Sequence, residues 1–154
     1  MLQDLLRGEF LMLQNELDMY FNYEPITYGE IKQGEGPVNK DAQYYSIMKN
    51  AIRTDKNLRD TRVRIGMSDT QYAHSYCWEN EMIPTITAKY TFYDPVELTM
   101  LSKESIRNSQ TFPQDFNFMS DLASNWCYIC GMSVPPIMIK RIVTRLIESG
   151  VFNG

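Results

Sequence analysis

The chain has 154 residues, 44% of them hydrophobic and 22% charged, with a formal net charge of −4. That length holds one ordinary domain with its own core, and that apolar content excludes a disordered chain. An acidic balance disfavours an autonomous nucleic-acid binder, and with no apolar run of about 18 residues no membrane-spanning helix is expected.

Asp4 and Glu9 break any basic-then-apolar leader pattern at the start. Three cysteines are an odd number and argue against a disulfide framework. The expected location is therefore soluble, reducing and cytoplasmic.

Residues 1–21 read as a helix, because Leu2, Leu5, Leu6, Phe10, Leu13 and Leu17 recur at steps of three and four. A helix this apolar needs a cover: its own domain, a partner or a second copy. Residues 24–33 read as a strand or extended segment, since Pro25 breaks a helix and Ile26, Tyr28 and Ile31 punctuate the stretch. Gly34, Gly36 and Pro37 mark a loop. Residues 40–53 read as a second helix with Tyr44, Met48, Ala51 and Ile52 on one face and Asn39 or Asp41 as cap. Asp55 to Asp60 is polar and reads as a loop. Residues 62–99 read as β-structure: Arg62-Val63-Arg64-Ile65 alternates and stops at Gly66, while Thr85-Ile86-Thr87 and Tyr90-Thr91-Phe92-Tyr93 are β-formers. Asp94-Pro95 turns the chain. Ser102 opens a short helix to about Ser109, and residues 121–127 form another helical turn.

Charge is uneven along this order. Residues 1–35 hold seven acids and two bases, a net of −5. Residues 49–64 hold six bases and two acids, a net of +4. A basic segment on an acidic protein can form a phosphate-facing edge. Arg53, Lys56, Arg59, Arg62 and Arg64 are the candidate DNA-binding residues, with polar and aromatic residues of 68–80 near the bases. The competing reading is a solvated surface loop.

His74, Cys77, Cys127 and Cys130 form His-x-x-Cys and Cys-x-x-Cys, residue types that zinc uses. Cys127 follows Trp126 in a stretch expected to pack, so buried thiols are the reading taken and no metal ligand is assigned. No Ser–His–Asp set, phosphate loop or carboxylate pair stands out, and one histidine is a poor basis for imidazole catalysis.

The most specific stretch is the last third. Gln110-Thr111-Phe112-Pro113 is followed by Gly131-Met132-Ser133-Val134-Pro135-Pro136. Ser133 is the expected N-cap of a helix that tolerates prolines in its first turn. Ile139, Ile142, Val143, Leu146 and Ile147 then make an apolar stripe, and Gly150 suits the stop.

These segments, Gln-x-Phe-Pro-x-x-Phe and then Tyr-x-x-Gly-x-Ser-Val-Pro-Pro with an amphipathic helix, resemble the C-terminal end of DNA (cytosine-5) methyltransferases, motifs IX and X, and the phage-type members most. Pro84-Thr85-Ile86-Thr87-Ala88 resembles the start of the motif IX region. Residues 24–37 resemble the opening of the family's target-recognition region. The resemblance covers most of 24–150, so residues 1–23 stand apart as an N-terminal helix read from their own periodicity, while the resemblance implies 24–120 as a recognition-like region including motif IX and 121–154 as the motif X loop and C-terminal helix. The fold class expected is α+β, with a small irregular β-sheet recognition domain, flanking helices and a C-terminal amphipathic helix.

The family's catalytic parts are missing. Its Cys follows a Pro, whereas Cys77, Cys127 and Cys130 follow Tyr76, Trp126 and Ile129. Its Glu-Asn-Val and Phe-x-Gly-x-Gly segments do not occur either, so catalytic residues are none and the isolated chain is expected to be inactive. The resemblance implies a portion that recognises double-stranded DNA and completes an S-adenosylmethionine pocket, with Ser133 and Val134 as cofactor contacts. Met132 replaces an Asn found in many members, which removes a side-chain amide there. The catalytic half would come from the same or a separate chain, as in a split enzyme, a remnant or an excised piece. The alternative is a non-catalytic binding or assembly protein that keeps the fold and self-associates through exposed apolar helices.

Overall fold

The computed structural model describes residues 23–71 and 73–150. The helix expected over residues 1–21 lies outside the described residues. Pro25–Val134 forms one compact unit, and the described residues on either side of it, Tyr23, Glu24 and 135–150, belong to a second.

The first unit is mixed α+β, as expected. It opens with α1 (Tyr28–Ile31), not the strand that Pro25 and the apolar punctuation suggested. The reason is a cap: the Glu30 carboxylate accepts from the Thr27 backbone N–H at 2.7 Å and from its hydroxyl at 2.8 Å. One β-type contact survives, an isolated bridge from Thr27 to Met82. After the Gly34 turn, Gly36 lies against the Met100 carbonyl so closely that a Cβ would come within 1.6 Å of its oxygen.

α2 (Gln43–Met48) is shorter than expected and begins after Ala42. Ile47 and Met48 are buried, while Ile52 is exposed beyond the helix end. α3 (Leu58–Arg64) replaces both the loop expected over 55–60 and the strand expected from Arg62. Asn57 caps it, its side-chain oxygen accepting from the Asp60 N–H at 3.0 Å. Leu58, Thr61 and Arg62 turn inward at helical spacing, and Gly66 at φ +80° ends the helix.

β1 (Ser75–Tyr76), β2 (Phe92–Asp94) and β3 (Thr99–Met100) make a small open sheet in the order β1-β2-β3. β1 runs parallel to β2 (Ser75 beside Phe92), and β2 antiparallel to β3 (Tyr93 beside Met100). The Thr85-Ile86-Thr87 stretch is not a strand. Period-two alternation gives the sheet two apolar faces. Cys77, Phe92 and Leu101 face a cluster with Tyr28, Ile106, Phe118 and Cys127; Tyr76, Trp78 and Tyr93 face Ile47, Met48 and Leu58.

Ser102 caps α4 (Lys103–Ser109) as expected, its hydroxyl accepting from the Ser105 N–H at 3.0 Å. The Gln-Thr-Phe-Pro turn follows, with Thr111 at φ +56°. Phe112, Phe116, Phe118 and Trp126 pack ring to ring with centroids 4.4–5.2 Å apart. The expected turn at 121–127 is a full helix, α5 (Ala123–Met132), with Cys127 and Cys130 buried. Its Gly131 lies against the 87–88 backbone, where a Cβ would come within 2.3 Å of the Thr87 carbonyl carbon.

The second unit contains α6 (Pro136–Glu148), with Pro136 at its first position. Gly150 at φ +75° follows its last turn, as its sequence position suggested. Ser133 is not its N-cap. Ser133 closes α5, donating its hydroxyl to the Cys130 carbonyl at 2.9 Å, and Pro135 takes the cap position. Two consecutive prolines force this, because the residue before a proline is held extended and cannot begin a helix.

Candidate nucleic-acid and cofactor interface

The five bases of the 53–64 segment reach different fates, and α3 decides which. Arg62 is 5% exposed. Its guanidinium donates to the Ser68 carbonyl at 3.1 Å and the Ser68 hydroxyl at 2.6 Å, closing the loop after α3. Arg64 binds the Asp55 carboxylate at 2.7 Å. Arg59 forks onto Asp69, the second contact at 3.0 Å. These three arginines hold the protein's own backbone and carboxylates.

Arg53 and Lys56 stand differently. Both point at one carboxylate, Glu81, at 3.9 and 3.1 Å. Two cations on one anion leave a surplus positive charge on an exposed edge. The Arg53 guanidinium also lies 5.2 Å from the Trp78 ring centre, a cation on an aromatic face. Of the candidate DNA-binding residues, these two alone keep charge to offer a phosphate.

Asp55 is the hub beneath that edge. It is buried, and its carboxylate accepts from Arg64, from the Thr61 hydroxyl at 2.8 Å and from the Ile52 N–H at 3.1 Å. Burial alone would raise its pKa. The Arg64 guanidinium and the other donors outweigh burial and hold it below the ordinary carboxylate value. Trp78 completes the hub by donating its indole N–H to the Asp55 carbonyl at 2.8 Å.

A second polar centre was not foreseen. The Lys32 ammonium meets Asp94 at 2.8 Å, Glu97 at 3.2 Å and Glu79 at 3.3 Å. Burial would lower its pKa, but the three carboxylates raise it above the ordinary lysine range. Tyr28 donates to the same Asp94 at 3.1 Å, and burial followed by that carboxylate pushes its phenol well up. This centre floors a cavity of about 340 Å³ whose walls include Glu35, Val38, Glu97 and Met100. With three carboxylates around one ammonium, that face repels phosphates. The available signal was that Lys32 is one of two bases in the acidic first 35 residues.

Of the expected cofactor contacts, Val134 is 54% exposed and Ser133 has its hydroxyl on Cys130. Neither lines the cavity at Lys32. Cys127 donates its thiol towards the Thr87 and Lys89 carbonyls at 3.2 and 3.3 Å. His74 lies apart from that pair, its Nδ1 2.9 Å from the Tyr93 hydroxyl. Among the described residues no group of three or more His, Cys, Asp or Glu side chains is placed to hold a metal ion. Among the same residues no helix is long and apolar enough to cross a membrane. No family model matches the chain, and no curated protein or solved structure matches it.

Proposed function

We propose that this chain is the DNA-recognition and cofactor-pocket-completing portion of a cytosine-5 DNA methyltransferase, acting with a catalytic segment that carries the nucleophilic Cys. The observation that carries the reading is the pair Gln110-Thr111-Phe112-Pro113 and Gly131-Met132-Ser133-Val134-Pro135-Pro136, in order and followed by an amphipathic helix. Three physical features support it. The first segment is a fixed turn, with the Phe112 N–H on the Arg107 carbonyl and the Arg107 guanidinium on the Gln114 carbonyl at 3.1 Å. The second ends one helix and starts another. The edge at Arg53 and Lys56 carries surplus positive charge for a phosphate.

In this reading the β-sheet unit grips double-stranded DNA, and the chain around Ser133 and Val134 lids the S-adenosylmethionine bound by the catalytic segment. This chain's own part is binding and orientation. The attack on C6 of a flipped cytosine needs a thiolate. Here the three thiols are buried and their pKa values are raised.

A second reading has its own support. Three of the five candidate arginines and lysines are paired with the protein's own groups, and the net charge is −4. That balance favours a binding or assembly protein with this fold and no chemistry. The deciding experiment mixes the chain with the polypeptide encoded next to it and follows transfer of a labelled methyl group to DNA. Transfer only in the mixture supports the first reading. No transfer, with no DNA retained at low salt, supports the second.

A further inference from the structure

We infer that Glu81 occupies the seat of a DNA phosphate between Arg53 and Lys56, and that a bound phosphodiester displaces it; this rests on the reading of that edge as phosphate-facing. The Glu81 carboxylate offers one oxygen to each cation. Its Oε1 lies 3.9 Å from the Arg53 guanidinium and its Oε2 3.1 Å from the Lys56 ammonium. A phosphate bridging the same two side chains uses two of its own oxygens in the same way. The carboxylate is thus an internal copy of the ligand.

The surrounding backbone fixes where these groups stand. The Lys56 N–H donates to the Asp60 carboxylate at 2.8 Å, and the Lys56 carbonyl accepts from the Tyr76 N–H at 3.0 Å. The Glu81 N–H donates to the Trp78 carbonyl at 3.0 Å, and the Glu81 carbonyl accepts from the Tyr28 N–H at 2.7 Å. The Arg53 guanidinium lies over the Trp78 ring, whose indole is itself tied to the Asp55 carbonyl. The seat is therefore preformed, and only the Glu81 side chain has to turn away to open it. That side chain is 35% exposed, and those of Arg53 and Lys56 are 47% and 64% exposed. Ion pairs so accessible to water are weak, so a phosphate replaces the carboxylate at small cost.

The neighbouring pair shows what sets Glu81 apart. Arg59 forks onto Asp69, one cation on one anion, and the charges cancel. At Glu81 two cations share one anion, and its departure leaves two positive charges facing one phosphate. The chain without DNA therefore carries this edge with one of its two charges masked.

The test titrates the full chain into a short fluorescein-labelled duplex and follows anisotropy over a range of salt. Glu81→Gln keeps the shape and removes the charge. It is expected to bind roughly fivefold tighter at low salt than the unaltered chain, with a salt slope steeper by about 1. Asp115→Asn removes an equal charge from the exposed loop after Pro113 and is expected to leave both readings near those of the unaltered chain. The gain from Glu81→Gln is expected to vanish where Arg53→Ala and Lys56→Ala are already present, as a double-mutant cycle reads it. Equal gains from the two acid variants would overturn the inference, since net charge alone then explains them. So would a gain that survives loss of both cations, no gain at all, or no duplex bound by Glu81→Gln at low salt. The methyltransferase reading is judged apart, by methyl transfer in the mixture. Transfer without the gain overturns this inference alone, and the gain without transfer overturns that reading alone.

Discussion

The Arg64 guanidinium closes onto the Asp55 carboxylate at 2.7 Å and so ties the last turn of α3 back to the loop before it. Asp55 receives two further donors and is buried, so its removal strands all three. Asp55→Ala is expected to cost about 2–4 kcal/mol, read from urea denaturation at neutral pH. The pH dependence follows from the depressed pKa. A carboxyl held below its ordinary value in the folded chain adds stability above about pH 4, and that share is lost as pH falls through the folded value. Asp55→Asn should flatten this acid limb, and an unchanged limb would assign it to other carboxylates.

Gly36 and Gly66 test two different reasons for a glycine. A Cβ at position 36 meets the Met100 carbonyl oxygen at 1.6 Å, whereas one at Gly66 meets nothing within 4 Å but sits at φ +80°. Gly36→Ala is expected to cost about 3 kcal/mol or more, because the β3 edge must move. Gly66→Ala should cost about 1 kcal/mol, the backbone strain alone. Melting temperatures of the two variants should rank in that order; equal values would count against the close contact at Gly36.

The thiols should be silent in the folded chain. Burial pushes Cys127 up to about 11, and burial with the neighbouring Cys127 pushes Cys130 up to about 12. Cys77 is buried and raised further by burial and by Asp94. Alkylation at pH 8 is expected to stall until denaturant is added, when all three react. A chelator should leave the melting temperature unchanged. A drop on chelation would show that His74 and the thiols bind metal after all.

If the edge at Glu81 meets phosphates, Arg53→Ala with Lys56→Ala should weaken DNA binding and reduce the salt slope by about 2. Fluorescence anisotropy at several salt concentrations reads both numbers. Arg62→Ala should behave otherwise. It leaves the Ser68 turn unheld and lowers stability by about 2 kcal/mol, and any loss of binding should track the unfolded fraction. An unchanged slope in the double variant would remove this edge from the interface.

What was legible in the sequence was what a single local signal decides. Ser102 announced α4 and Gly150 the end of α6, because a cap acts within one turn. The α+β class and the amphipathic final helix were readable for the same reason. α3 was misread because Arg62-Val63-Arg64-Ile65 alternates like a strand, yet Asn57 caps a helix and Arg62 finds its partners at Ser68. Two local patterns competed, and burial of Leu58 and Thr61 favoured the helix. Ser133 looked like a cap until the two prolines behind it forced extended backbone. The Lys32 centre was out of reach, since Glu79 and Glu97 lie 47 and 65 residues further along. The division of the basic segment into spent and unspent charges was hidden likewise, because it depends on Glu81 and Asp69, which only the fold brings near.

Gly131 has the backbone of Thr87 and Ala88 where a side chain would stand. Descendants of this chain are thus free to trade away the exposed side chains around the Val-Pro-Pro turn and still be barred from altering that one position. Kinship judged by this glycine alone measures inherited shape before any shared chemistry.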